Sequence, residues 1–287
     1  MKRIAIINQK GGVGKTTTAA NLGSALARAG KRVVLIDLDP QANLTVHFGI
    51  EVKEGSPSIY HVLLEEKKFA EVLKPTKSEL LSLAPSNLDL AGAEVELVSE
   101  IGREHRLREA IDSWVQSFTT TGRPEPADYL LIDCPPSLGL LSVNGLVAST
   151  DVFIAVQTEF FALRGLTKLL ELIELVRRRL NPRVEVSGII AGLYDARRNL
   201  NKEVLEELRS FFGKKVFQTV IRENVRLAEA PSYGKSIFEY APDSYGAIDY
   251  TLLAREVIEL LEPAASTTAS NTNTTIIGAT TTNADPL

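Results

Sequence analysis

Cysteine, methionine and tryptophan each occur once in this 287-residue chain, and aromatic residues make up only 6% of it. A single cysteine, Cys134, excludes an intrachain disulfide. It also leaves no paired thiols for a zinc or iron–sulfur centre, and His47, His61 and His105 are scattered without ligand spacing. With no histidine beside it, Cys134 is expected to be a small buried thiol rather than a nucleophile. No apolar run approaches the about 20 residues of a membrane-spanning helix. The first strand pattern begins at the initiator methionine, leaving no room for a signal peptide, so a cytoplasmic protein is expected. Net basic charge is missing too: at −4, with a pI near 5.6, any grip on nucleic acid must come from a local patch. The 44% hydrophobic content suffices to bury about three quarters of the unfolded surface without covalent staples.

What is present is concentrated at the amino terminus. Lys10-Gly11-Gly12-Val13-Gly14-Lys15-Thr16-Thr17 follows an apolar strand pattern, Arg3 to Asn8, and precedes a helix pattern running from Thr17 to Ala29 and ending at Gly30. Strand, glycine loop and helix in that order form a phosphate cradle. Glycines let backbone N–H groups face phosphate oxygens, and the helix start adds about half a positive charge. Lys15 is placed to reach the β- and γ-phosphates, the Thr16 hydroxyl to ligate Mg²⁺, and Thr17 to touch a phosphate further back. The common template has glycine at position 9; here Gln9 stands there and Lys10 follows. Two further apolar runs, Val33 to Ile36 and Tyr129 to Ile132, read as doubly covered parallel strands. They deliver Asp37, Asp39 and Asp133 where open α/β sheets bind ligands, and Asp133 is expected to hold Mg²⁺ through a water.

The alternation of strands and amphipathic helices predicts an α/β fold with a doubly wound, mostly parallel sheet flanked by helices. Expected strands are Lys2 to Asn8, Val33 to Asp37, Leu80 to Ala84, Tyr129 to Asp133, Val152 to Gln157, Val186 to Leu193 and Val216 to Ile221. Expected helices include Ile59 to Glu65, Ala91 to Trp114, Leu163 to Leu180, Lys202 to Phe212 and Tyr245 to Leu261. Ser117 to Ala127 reads as a surface loop. Residues 1–262 form one P-loop domain in this reading. The segment 263–287, with eight threonines and no lysine or arginine, is expected to be a disordered tail.

The K-G-G-x-G-K-[ST] pattern resembles the deviant Walker A ATPases. The resemblance narrows with Asp37-Leu38-Asp39-Pro40-Gln41, Asp133-Cys134-Pro135-Pro136-Ser137 and Asn224 to Lys235, which together resemble the ParA/Soj partitioning ATPases over roughly Met1 to Leu261. The resemblance implies that Lys10 reaches the partner's nucleotide across an ATP sandwich dimer, and that Asp39 orients or activates the attacking water. It implies that Asp37 supports the magnesium shell or the loop, that Asp39 to Asn43 is switch I, and that Pro135 and Pro136 belong to switch II. It places adenine near Tyr194-Asp195 and Arg222 to Val225. ATP is favoured over GTP because no N-K-x-D motif occurs, Asn201-Lys202-Glu203-Val204 lacking the aspartate.

The same resemblance implies slow intrinsic hydrolysis, a ParB-like centromere-binding partner that stimulates it, and nucleoid association through nonspecific DNA. Candidate basic residues are Arg177 to Arg179, Arg197, Arg198, Lys214, Lys215, Arg222, Arg226 and Lys235, with Arg197, Arg222 and Arg226 the foremost. The family's I-P-R-N segment reads Ile221-Arg222-Glu223-Asn224 here, so glutamate stands at the family's arginine position. A MinD-like or cargo-positioning ATPase is the alternative. Against membrane attachment, the tail lacks the basic amphipathic helix that MinD-like proteins use. The chain has no helix-turn-helix extension before the first strand, so autorepression is not expected.

Overall fold

The computed structural model describes residues 1–53, 55–159 and 164–262. Its centre is a seven-stranded sheet in the order β3-β4-β2-β5-β1-β6-β7. The strands are β1 (Lys2–Ile7), β2 (Val33–Asp37), β3 (Lys74–Pro75), β4 (Leu81–Ala84), β5 (Tyr129–Asp133), β6 (Asp151–Gln157) and β7 (Glu185–Gly192). All pair in parallel except β3, a two-residue antiparallel edge on β4 that the sequence pattern did not reveal.

The sheet is buried on both faces, which is why its strands are continuously apolar. Along β1, Ile4 and Ile6 enter one core while Ala5 and Ile7 enter the other, all at 0% exposure. Helix Lys15–Arg28 lies so close to β2 that a Cβ on Gly23 would meet Leu35 Cδ2 at 2.7 Å. Helix Tyr245–Leu261 packs beside it in the same core layer, with the boundaries expected from the sequence.

Three expectations are corrected. Val216 to Ile221 is no strand: it touches β7 through an isolated bridge at Ile189–Val216 and the Ile221 N–H donation to Ala191 O. The intervening Gln218 and Thr219 N–H groups donate instead to the Glu256 carboxylate, each at 2.7 Å, which pulls the segment off the sheet. The helix expected over Ala91 to Trp114 is broken into Leu90–Glu96 and Arg106–Thr119. Gly102 turns the chain at φ 74, and the buried Asn144 amide captures Arg103 O and Leu107 N, which an unbroken helix would use itself. The surface loop expected from Ser117 starts later, because that helix continues to Thr119.

Smaller shifts occur at helix ends: Ile59–Leu63 stops two residues early, and Asn199–Phe212 starts three early. Helix Thr167–Arg179 follows a 3₁₀ turn, Arg164–Leu166, with the expected start at Leu163 outside the described residues. The tail expected at 263–287 lies outside them as well.

Candidate nucleotide site

The glycine loop joins β1 to helix Lys15–Arg28 at the carboxyl edge of the sheet, next to the switch in strand order where such folds bind ligands. Gly12 and Gly14 adopt φ of 73 and 92, so a side chain at either would be strained. The loop wraps one side of a cavity of about 500 Å³. Its other walls include Asp39, Gln41, Asn43 and His47, then Pro136, then Leu193, Arg222, Asn224 and Leu227. Gly11, Gly12, Val13, Gly14, Lys15, Thr16 and Thr17 all line it. Tyr194 and Asp195, expected near adenine, are not among its walls, whereas Arg222 and Asn224 are.

Lys15 is buried, with its Nζ 3.3 Å from Lys10 O, curled under its own loop. Burial pushes its ammonium down from the usual lysine range, and the Asp133 and Asp39 carboxylates oppose that shift. The parallel register sets Asp37 directly beside Asp133 at the ends of β2 and β5. Thr16 Oγ1 donates to Asp133 Oδ2 at 2.6 Å, while Asp133 Oδ1 is buried with no hydrogen-bond partner among the described residues. Desolvation first, and the nearby Asp37 charge second, hold the Asp133 carboxyl well above the carboxylate range. A carboxylate oxygen without a partner, on a side chain whose other oxygen accepts from the Thr16 hydroxyl, fits a hydrated Mg²⁺, whose charge would favour the ionised form.

Asp37 does different work. Its Oδ2 accepts from Thr45 N at 2.8 Å and Thr45 Oγ1 at 2.7 Å, and its Oδ1 accepts from Asp39 N at 3.3 Å. Thr45 Oγ1 in turn accepts from Ser86 N at 3.0 Å. Asp37 thus ties both ends of segment 39–45 to the sheet, and no sequence motif announces the Thr45 partner. Asp39 is 8% exposed, its Oδ1 accepting from Gln41 N at 2.9 Å, and Ala42 takes a left-handed φ of 53 just before helix Asn43–His47.

Burial pushes the Asp37 carboxyl up to about 6, against the hydrogen bonds it accepts. A carboxyl whose folded value exceeds its unfolded value stabilises the fold while protonated, and that contribution is lost as pH rises through about 6. The loss amounts to about 3 kcal/mol. For nucleotide-free protein, the stability of wild type relative to Asp37→Asn is therefore expected to fall from about pH 4 to 7, read from urea unfolding. A difference independent of pH would contradict this account of Asp37.

Lys10 stands apart. It does not line the main cavity but a second one, of about 370 Å³, together with Asn8, Gln157 and Glu159. Its Nζ donates to Glu159 Oε2 at 2.6 Å and to Gln157 Oε1 at 3.1 Å, both contacts exposed. Such a surface pair is worth about 0–1 kcal/mol, so the ammonium is cheaply released.

Cys134 lies in the core against Gly145, where a Cβ would meet its sulfur at 2.7 Å, and burial pushes the thiol up. Native protein is expected to react with an aromatic disulfide reagent at least about a hundredfold more slowly than unfolded protein. Equal rates would show the thiol to be accessible. His47, which carried no motif, lines the nucleotide cavity; burial pushes it down to about 4, so it is neutral.

The three foremost basic candidates are all engaged. Arg197 pairs with Asp195 at 2.9 Å and Arg226 with Glu229 at 3.1 Å. Arg222 forms a fork on Asp249 and lies 4.1 Å over the Tyr245 ring, at the nucleotide cavity rather than away from it.

Comparison with known proteins agrees with this geometry. An AAA domain family model matches residues 1–186. The chain is 48% identical to the sporulation initiation inhibitor protein Soj of Bacillus subtilis over 256 residues, covering 89% of this chain and 98% of that protein. It is 45% identical to the chromosome partitioning protein ParA of Caulobacter vibrioides, covering 90% and 94%. Among solved structures, cobyrinic acid a,c-diamide synthase from Mycobacterium smegmatis with bound ADP and magnesium superposes with a TM-score of 0.76 at 35% identity, covering 90% and 95%. A deviant glycine loop, strand-end aspartates in register and a match along nearly the whole of Soj and ParA together place the chain in the ParA/Soj family of chromosome-partitioning ATPases.

Proposed function

We propose that this ATPase is a DNA-partitioning switch: its ATP form dimerises and holds nonspecific DNA, and a ParB-like partner stimulates the hydrolysis that releases it. One observation carries the reading furthest. Lys10 points out of its own nucleotide cavity and is held by weak surface contacts, as suits a lysine whose phosphate belongs to a second subunit.

Within one subunit the loop N–H groups and Lys15 bind and orient the phosphates. When bound, Mg²⁺ neutralises charge on the phosphate oxygens, held by Thr16 and, through a water, by Asp133. Asp39 positions the attacking water, and Asp37 holds the segment that presents Asp39. Closure by a second subunit excludes bulk water and brings Lys10 of each copy to the other's phosphates. Because ATP binds the dimer better than the monomer, its hydrolysis removes the differential affinity that sustained the DNA-bound state.

DNA contact by Arg197, Arg222 or Arg226 requires exchanging a carboxylate partner for a phosphate. Arg197, 89% exposed on its side chain, makes that exchange most easily; Arg222, forked on a carboxylate 4% exposed, least. With about three contacts per subunit, a dimer makes about six, giving a salt slope of log K near about −5.

Purified protein is expected to turn ATP over slowly alone and at least about tenfold faster with a ParB-like protein and DNA. Rapid turnover without a partner would contradict a switch. Turnover that depends on an added metabolite would instead mark a small-molecule ligase, the activity named in the mycobacterial relative.

A further inference from the structure

Beside the nucleotide site lies a smaller cavity of about 200 Å³, built from parts of the chain far apart in sequence. Its floor is apolar: Leu81 and Phe238 are 3 and 8% exposed, and Phe48 is half-buried. Two cations stand over that floor. The Arg28 guanidinium lies 5.1 Å above the Phe238 ring, and Lys77 Nζ donates to Gly234 O at 3.3 Å in an exposed contact. Neither is ion-paired within the described residues. The one carboxylate among the described walls, Glu239, commits its Oε2 to Ser236 N and Ser236 Oγ, both at 2.9 Å. A guanidinium over an aromatic ring, beside an amine that can turn from a neutral carbonyl to an anion, suits a carboxylate carried on an apolar segment.

The root of the carboxyl-terminal segment is anchored close by. Glu262, the last described residue, accepts from Lys31 Nζ and from Tyr129 OH, each at 2.6 Å. Lys31 stands three residues beyond Arg28, at most about 11 Å along the chain. The segment 263–287 contains one charged residue, Asp285, followed by Pro286 and Leu287. Asp285 lies 23 residues beyond Glu262. That length spans up to about 75 Å, so reach sets no limit.

We propose that Asp285-Pro286-Leu287 docks in this cavity of its own chain, the Asp285 carboxylate on Arg28 and Lys77 and the Leu287 side chain on the floor of Phe48, Leu81 and Phe238. Charge sign and proximity select this occupant. A covalent tether supplies an effective concentration on the order of millimolar, which a second copy in dilute solution does not match. The docked segment has a place in the mechanics of the fold. Phe48 and Gly234 stand one residue beyond helix Asn43–His47 and the turn Ala230–Tyr233, whose His47 and Pro231 line the nucleotide cavity. The two elements meet backbone to backbone, since a Cβ on Gly234 would lie 3.0 Å from Gly49 Cα. Asp285-Pro286-Leu287 straps the outer side of that seam and occupies two cations that an external anion would otherwise meet. Docking so placed needs neither DNA nor a partner protein.

The test is disulfide closure in the full chain between Ala284→Cys and Ser78→Cys, the native Cys134 being buried. The control pairs Ala284→Cys with Glu109→Cys on helix Arg106–Thr119, which packs on the other face of the sheet from helix Lys15–Arg28. The first pair is expected to close within one chain at least about tenfold faster than the control. Lys77→Glu is expected to remove most of that advantage, and Lys77→Glu with Asp285→Lys to restore it, ATP binding being unchanged throughout. Rescue by swapped charge is a result that mere loss of structure does not give. Equal closure of the two pairs, or an advantage untouched by Lys77→Glu, overturns the proposal. Closure only between chains, read as a doubled mass on a non-reducing gel, makes a second copy the donor and overturns it too. Equal closure with inorganic phosphate shielding Lys77 from an amine reagent would make the cavity a free-anion site instead.

Discussion

Replacing Asp39 with alanine is expected to slow ATP turnover at least about a hundredfold while leaving ATP affinity within about threefold. The separation follows from where Asp39 sits. In the proposed function, ground-state binding of the phosphates belongs to the glycine loop and Lys15, which line the same cavity. Asp39 is held at the mouth by Gln41 N and by the Asp37 bond to its own N–H, and touches neither Thr16 nor Lys15 through a hydrogen bond. In the proposed function its removal takes away a water-positioning group without unmaking the cradle, and the buried Asp37–Thr45 anchor does not involve the Asp39 side chain. Single-turnover hydrolysis beside equilibrium binding of a fluorescent ATP analogue separates the two effects. A parallel loss of affinity and rate would show that Asp39 holds nucleotide rather than water.

Lys10→Ala is expected to leave monomeric ATP binding nearly unchanged and to weaken the ATP dimer at least about a hundredfold. A charge-assisted bond to phosphate in a closed interface is worth about 1.5–3 kcal/mol, and a two-fold dimer contains the contact twice, so about 3–6 kcal/mol is at stake. At about 1.4 kcal/mol per tenfold, that is two to four decades. The compensating gain in the monomer is small, because the Glu159 contact given up on dimerisation is solvent-exposed. Sedimentation velocity in an Asp39→Ala background, where ATP persists, reads the effect without interference from hydrolysis. Dimers of unaltered affinity would move Lys10 from the interface to the solvated rim of the loop.

Much of this site is legible in the chain because its constraints are local. Glycines with left-handed φ, a lysine and a threonine at fixed offsets, and aspartates closing apolar runs each follow from backbone physics within a few residues. The parallel strands are legible for the same reason: doubly buried strands read as unbroken apolar stretches. What escapes is long-range capture of backbone by side chains. Glu256 takes the N–H groups that would have made Val216 to Ile221 a strand, and Asn144 breaks a helix by binding groups 37 and 41 residues away.

Long-range partners bear on the basic residues in the same manner. A run of arginines suggests a phosphate surface, yet Asp249 lies 27 residues beyond Arg222 and turns it into a forked ion pair at the nucleotide cavity. The glutamate at the family's arginine position has a structural counterpart here, since Glu223 reaches Arg198 at 3.4 Å. Charge counted along a sequence therefore overstates the cations available to DNA. The proposed dimer, which would double whatever remains, becomes correspondingly more important.

The most direct test is retention of nonspecific duplex DNA by wild type and Asp39→Ala with ATP, ADP or no nucleotide across a salt series. Retention is expected with ATP alone, falling steeply with salt and persisting in Asp39→Ala after wild type has hydrolysed its ATP and let go. Retention that is equal in all three nucleotide states, or absent from all of them, would contradict a DNA clamp released by hydrolysis.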